Sequence, residues 1–171
     1  MARKCAFFIL LALCYMLTLT QCTEPARCTG YGDCGQSEKG LNRTCVSNDP
    51  PRSINNATAA ALLREVCPQY FEGIDVSDPS EPKLCCDTNN IVILLEKLTM
   101  AETIFGRCPT CKKNVYKLIC DLSCSPEQSR FLRVTKTNIN SDGNEYIEEL
   151  EVYVAEEYMN GAYDSCKNVI Y

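Results

Sequence analysis

Apolar residues recur at helical spacing between residues 88 and 105: Ile91, Leu94, Leu95, Leu98, Ala101, Ile104 and Phe105 form one stripe. Asp87 stands where a helix cap belongs and Gly106 where the helix should stop. A second helix is predicted over 109–122, opening on Pro109 and carrying Val115, Leu118, Ile119 and Leu122 on its apolar side. Thr58–Val66 reads as a shorter helix, ended by Cys67-Pro68. After Pro126 the period shortens. "RFLRVTKT" and "IEELEVYV" alternate around the turn "NINSDGNE", which predicts a β-hairpin over 130–154 with Leu150, Val152 and Val154 on one face. A helix with Tyr158, Ala162 and Tyr163 follows and carries Cys166. Residues 28–57 and 72–84, rich in Gly, Pro, Asn and Ser, read as loops.

The longest apolar run, "CAFFILLALCYMLTLT", follows Arg3 and Lys4, the pattern of a secretory signal peptide cleaved after about residue 22. An uncleaved anchor is the other reading, because the run approaches the lower length limit of a membrane span. Residues 23–171 are then expected to form one soluble, exported domain. Losing Arg3 and Lys4 makes it more acidic than the −5 of the whole chain. That balance, without a Lys/Arg cluster, argues against nucleic acid or an anionic membrane as partner. The glutamates at 145, 148, 149, 151, 156 and 157 read as a solvated face. Asn42-Arg43-Thr44 and Asn56-Ala57-Thr58 are sequons that make Asn42 and Asn56 candidate glycosylation sites.

Of the fourteen cysteines, Cys5, Cys14 and Cys22 leave with the signal, and the odd number of eleven remains. In an oxidising compartment these should pair. "CPTC", residues 108–111, admits three readings: a redox pair, half of a zinc site, or the ends of two structural disulfides. The redox pair lacks its βαβ context, and zinc thiolates compete poorly with oxidation outside the cell. Adjacent Cys85 and Cys86 favour structural bridges, since neighbouring cysteines usually bond to different partners. No metal or cofactor is expected. With no histidine, the commonest general base is missing, and no nucleophile-elbow, P-loop or dinucleotide motif occurs. A binding role is therefore expected rather than an enzyme.

The segments "CTGYGDCG", "TCVSNDPP", "VCPQYFEG", "LCCD", "RCPTCKKNVYKLICDLSCSPEQSRFLRVTKT" and "YDSCKNV" closely resemble the N-terminal luminal domain of Niemann–Pick type C1 proteins. The resemblance runs from Cys28 to Val169 and is most specific over 107–137. It implies an α+β, disulfide-rich fold in which helices pack with a small β-sheet around an apolar sterol pocket. It also implies that this chain lacks the C-terminal portion of that domain, so that the pocket is incomplete. The implied function is sterol (cholesterol) binding in intracellular or intestinal sterol transport. Sterol would arrive from a Niemann–Pick type C2-like luminal carrier and pass to membrane, within the secretory pathway, in a lysosomal or endosomal lumen or outside the cell. The alternative is a non-binding fragment or a disulfide-rich protein-interaction domain.

The same resemblance implies the pairs Cys28–Cys85, Cys34–Cys45, Cys67–Cys120, Cys86–Cys124 and Cys111–Cys166, with Cys108 left unpaired. It places Asn90 and Thr44 where the family holds the sterol hydroxyl with two side-chain amides. Thr44 departs from the amide but keeps a hydroxyl. Asp33 matches an acidic residue near the buried end, and Ile93, Leu94 and Lys97 lie along the lining helix. Gly30 stands where the family can carry a large aromatic, so a different local pocket shape is expected.

Overall fold

The computed structural model describes residues 25–37, 40–74 and 82–169, so the signal peptide expected over 1–22 and part of the loop over 72–84 lie outside them. Among the described residues the strands are β1 (Gly30–Gln36), β2 (Asn42–Val46), β3 (Arg52–Ser53), β4 (Lys83–Leu84), β5 (Leu132–Ile139) and β6 (Glu145–Val152). The helices are α1 (Ala57–Val66), α2 (Thr88–Phe105), α3 (Pro109–Cys124) and α4 (Glu156–Cys166), with short 3-10 turns at Pro68–Phe71 and Gln128–Arg130. The fold is α+β and disulfide-rich. β1, β2, β6 and β5 form an antiparallel sheet in that order, and β3 pairs with β4. No described helix is long and apolar enough to cross a membrane.

The core lies among α1, α2, α3 and β4. Ile54, Leu63, Phe71, Leu84, Ile91, Leu94 and Leu98 pack there with Cys67, Cys86, Cys120 and Cys124. α2 buries Ile91, Leu94, Leu98 and Ala101, most of its expected stripe, while Leu95 is half-buried against the core. α3 departs from expectation. Val115, Leu118, Ile119 and Leu122 are only half-buried, and the fully buried positions are Cys111, Cys120 and Cys124. A disulfide brings its helix face within bonding distance of another element, so the bridged face takes the interior. α4 buries no residue, and its Tyr163 is exposed.

Among the described residues five bridges cross the fold: Cys28–Cys85, Cys34–Cys45, Cys67–Cys120, Cys86–Cys124 and Cys111–Cys166. Cys108 has a free thiol, and its Sγ lies 3.4 Å from the Ser165 carbonyl oxygen. The two cysteines of "CPTC" thus go separate ways. The four bridges with loops of 38 to 57 residues each restrict the unfolded chain most, worth about 2–4 kcal/mol apiece.

The expectation of loop over 28–57 is corrected by β1, β2 and β3. β1, "GYGDCGQ", lacks apolar alternation and is irregular in register on both sides of Asp33. Gly32 and Gly35 take positive φ at these irregularities, a backbone that L side chains rarely adopt. The strand is held by the Cys34–Cys45 bridge and by polar contacts to its backbone rather than by buried side chains along its length. The hairpin expected over 130–154 is present as β5 and β6, although Val154 falls beyond the strand.

Asn56 caps α1, its side chain accepting from the Ala59 N–H at 3.0 Å. Asn56→Ala is expected to lower unfolding free energy by about 1 kcal/mol in urea titration, whereas Asn56→Asp, which keeps the acceptor, should nearly match the parent. Leu63→Ala, at a fully buried position, is expected to cost about 2–5 kcal/mol with an unchanged urea m-value.

Candidate functional site

α2 has two working faces. Ile91, Leu94 and Leu98 point into the core, while Asn90, Ile93 and Lys97 line a cavity of about 300 Å³ between α2, the end of α3 and the sheet. The opposite walls come from Gly30, from Asn42, Arg43 and Thr44 of β2, from Leu132, and from Ile147, Glu148, Leu150 and Val152 of β6. Leu122, Ser123 and Gln128 complete them. Ile147 and Leu150 are three residues apart, so in a regular strand they would face opposite ways. The β5–β6 register shifts around Lys136 and Glu149, and this irregularity brings both to the same cavity.

The cavity lining combines buried residues with exposed ones. Gly30, Asn90, Gln128 and Leu132 are buried, whereas Asn42 and Lys97 are exposed and Leu150 and Val152 are about two-fifths exposed. Asn90 belongs to the first turn of α2. Asp87 accepts from its backbone N–H at 2.8 Å, and its own Oδ1 accepts from the Asp87 N–H at 3.1 Å, a reciprocal cap. The same Oδ1 accepts from the Gly32 N–H at 2.8 Å, and Nδ2 donates to the Gly32 carbonyl at 3.1 Å. Asn90 therefore fastens β1 to α2. An amide nitrogen carries two protons, and one of them has no protein partner among the described residues.

Gln128 repeats this arrangement. Its Oε1 accepts from the Thr29 and Gly30 N–H groups at 3.0 and 3.2 Å, and its Nε2 donates to the Leu122 carbonyl at 3.2 Å. It too keeps one amide proton. The buried end of the lining thus holds two amides whose oxygens are saturated and whose nitrogens each retain a donor. Such an end suits a single oxygen acceptor, while Ile93, Leu122, Leu132, Ile147, Leu150 and Val152 suit an apolar body.

Asn90, Thr44, Ile93 and Lys97 of the expected set come together here. Asp33 and Leu94 do not line the cavity. Asp33 is exposed, and its Oδ1 accepts from the Gly35 N–H at 2.9 Å. Leu94 is fully buried on the core side of α2. A Cβ on Gly30 would lie 2.8 Å from Thr44 Cγ2 and 3.0 Å from Ile147 Cδ1, so these side chains occupy the space that a larger residue would fill. Gln128 is the residue that sequence reasoning missed. It lies in a 3-10 turn without periodicity, and its one signal was its place in the most specific stretch, 107–137.

Glu148, the acidic lining residue, pairs with Lys136 at 3.1 Å, and this hydrogen bond, then the Glu148 charge, raises the Lys136 pKa. A second hollow of about 200 Å³ lies between α3, the start of α4 and the end of β6, lined by Leu118, Phe131, Tyr153, Val154 and Tyr158 among others. The Tyr158 hydroxyl donates to the Asn114 carbonyl at 2.7 Å, and burial raises its pKa.

Residues 25–171 match the family described as Niemann-Pick C1 N terminus. The chain is 34% identical over 174 residues to the pig (Sus scrofa) protein named NPC intracellular cholesterol transporter 1, covering 98% of this chain and 13% of that protein. It is 32% identical over 150 residues to the mouse (Mus musculus) NPC1-like intracellular cholesterol transporter 1, covering 83% of this chain and 11% of the relative. The human (Homo sapiens) NPC1-like protein is 28% identical over 169 residues, covering 94% and 12% respectively. The chain therefore spans little more than a tenth of the length of these relatives. On the family match and the breadth of these alignments, this chain belongs to the Niemann-Pick C1 N-terminus family.

Proposed function

We propose that this chain is a non-enzymatic sterol-binding module that takes the sterol hydroxyl into the buried end of the cavity and leaves the hydrocarbon tail at the mouth. The observation that carries this reading is the pair of buried amides, Asn90 and Gln128, each with one unused N–H, in a cavity that also presents Ile93, Leu122, Leu132, Ile147, Leu150 and Val152. Names of the relatives as cholesterol transporters support it. The chemistry needs no cofactor. One hydrogen bond contributes about 0.5–1.5 kcal/mol, so the amides orient the ligand while apolar burial, at about 25 cal/mol per Å², supplies most of the affinity.

The cavity volume of about 300 Å³ lies at the lower end of ligand pockets, roughly 300–1,000 Å³. In this reading it encloses the polar end of a sterol, with the remainder against Leu150 and Val152. That placement suits transfer in a lumen, from a small Niemann–Pick type C2-like carrier and onward to membrane, because the exposed tail is the part the next acceptor must grip. Asn42, exposed on the cavity rim, and Asn56, exposed at the start of α1, are the sites where glycans would be carried.

Equilibrium binding of labelled cholesterol to the oxidised, monomeric chain tests the reading, with saturable binding expected. Asn90→Ala should weaken it about 2- to 13-fold, while Lys113→Ala, on the exposed side of α3, should not. Absence of saturable binding, with all five bridges intact, would overturn the proposal and leave a disulfide-rich interaction domain as the better description. Equal affinities of the two variants would remove Asn90 from the site.

A further inference from the structure

The cavity carries two cations that no carboxylate neutralises. Arg43 lines it from β2, and its buried Nε has no hydrogen-bond partner among the described residues. Its guanidinium stands over the Tyr146 ring, 5.7 Å from the centroid, which leaves the in-plane N–H groups unsatisfied by that contact. Lys97 lines the cavity from α2, seven residues beyond Asn90 and so roughly 10 Å further along the helix axis. Neither Arg43 nor Lys97 joins an ion pair among the described residues. Glu148 is the acidic residue of the lining, and Lys136 takes up its carboxylate. In a chain of net charge −5, two cations without an ion pair on the wall of one cavity are a local reversal of sign. Arg43 lines the cavity without a carboxylate partner, and an anionic oxygen entering there would meet its positive charge unopposed.

We propose that the cavity prefers an anionic amphiphile, an apolar body bearing a sulfate or carboxylate, over the neutral sterol of the same skeleton. The inference rests on the sterol-binding reading for the apolar walls, and it adds the charge of the head group. Arg43 offers a fork of N–H donors to a sulfate or carboxylate, and Lys97 supplies a second, mobile donor nearer solvent. The amides of Asn90 and Gln128 contribute neutral N–H groups, which serve either head group equally. Selectivity therefore falls to Arg43 and Lys97.

The test compares cholesterol, cholesterol 3-sulfate and oleate by equilibrium binding to the same oxidised chain. Cholesterol 3-sulfate is expected to bind about tenfold more tightly than cholesterol. The ratio should fall towards one in Arg43→Gln/Lys97→Gln, whose folding is checked by its urea midpoint. Oleate competing with the sulfate would show that any apolar anion suffices, and failure of oleate to compete would restrict the ligand to anionic steroids; both support a charged head group. Cholesterol binding with equal or weaker binding of the sulfate overturns this proposal and leaves the sterol reading standing. Sulfate binding alone upholds the proposal and overturns the neutral-sterol reading. No binding of any probe overturns both.

Discussion

The junction at Cys85 and Cys86 fixes most of what surrounds it. Two adjacent, fully buried half-cystines bond in different directions, to Cys28 ahead of β1 and to Cys124 at the end of α3. The Cys85 N–H also donates to the Cys124 carbonyl at 3.1 Å. One point of backbone thus ties the entry to the sheet, the end of one helix and, through Asp87 two residues on, the start of another. It shortens the loops that the Asn90–Gly32 and Gln128–Gly30 contacts must close, contacts that join segments 58 and 98 residues apart. Weak, directional bonds between distant segments cost less to form where a stronger constraint has already removed part of the chain entropy.

This division of labour explains how a small domain keeps both a core and a hollow. The core is filled on one side of α2 by Ile91, Leu94 and Leu98. On the other side the same helix leaves space, bounded by strands whose pleat is interrupted. A regular sheet packed on α2 would bury alternate residues against it. Register shifts in β1 and in the β5–β6 pair interrupt that regular packing on the cavity side. The amides at the buried end do structural work with their oxygens and leave a nitrogen donor each, so the same residues brace the wall and define its chemistry.

Much of the helical half was legible in the sequence. Asp87, the stripe from Ile91 to Ala101 and Gly106 bound α2 at its observed limits, because cap, period and stop agree. Pro109 marked the start of α3, but its apolar residues did not mark its buried face, since covalent bridges outrank periodicity there. β1 was not legible: a strand made of glycines and held by a disulfide and by other residues' amides has no pattern of its own. The site followed the same logic. Resemblance to a family pointed to Asn90, Thr44, Ile93 and Lys97, which line one cavity, and to Asp33 and Leu94, which do not, whereas Gln128 and Arg43 join that lining only once distant segments are in space.

The bridge from Cys28 to Cys85 also sets a problem of timing. When a chain is delivered from its N-terminus into an oxidising compartment, Cys28 arrives 57 residues before its partner. At about 5–20 residues per second that is a delay of roughly 3–11 s. Cys34, Cys45 and Cys67 pass by in the interval, each nearer in sequence, and Cys34 and Cys45 need only an 11-residue loop to join. When Cys85 does arrive, Cys86 arrives with it and competes for the same sulfur. In such a compartment, maturation of this domain would be a problem of exchange as much as of oxidation, its yield set by how quickly early, wrong pairings are undone.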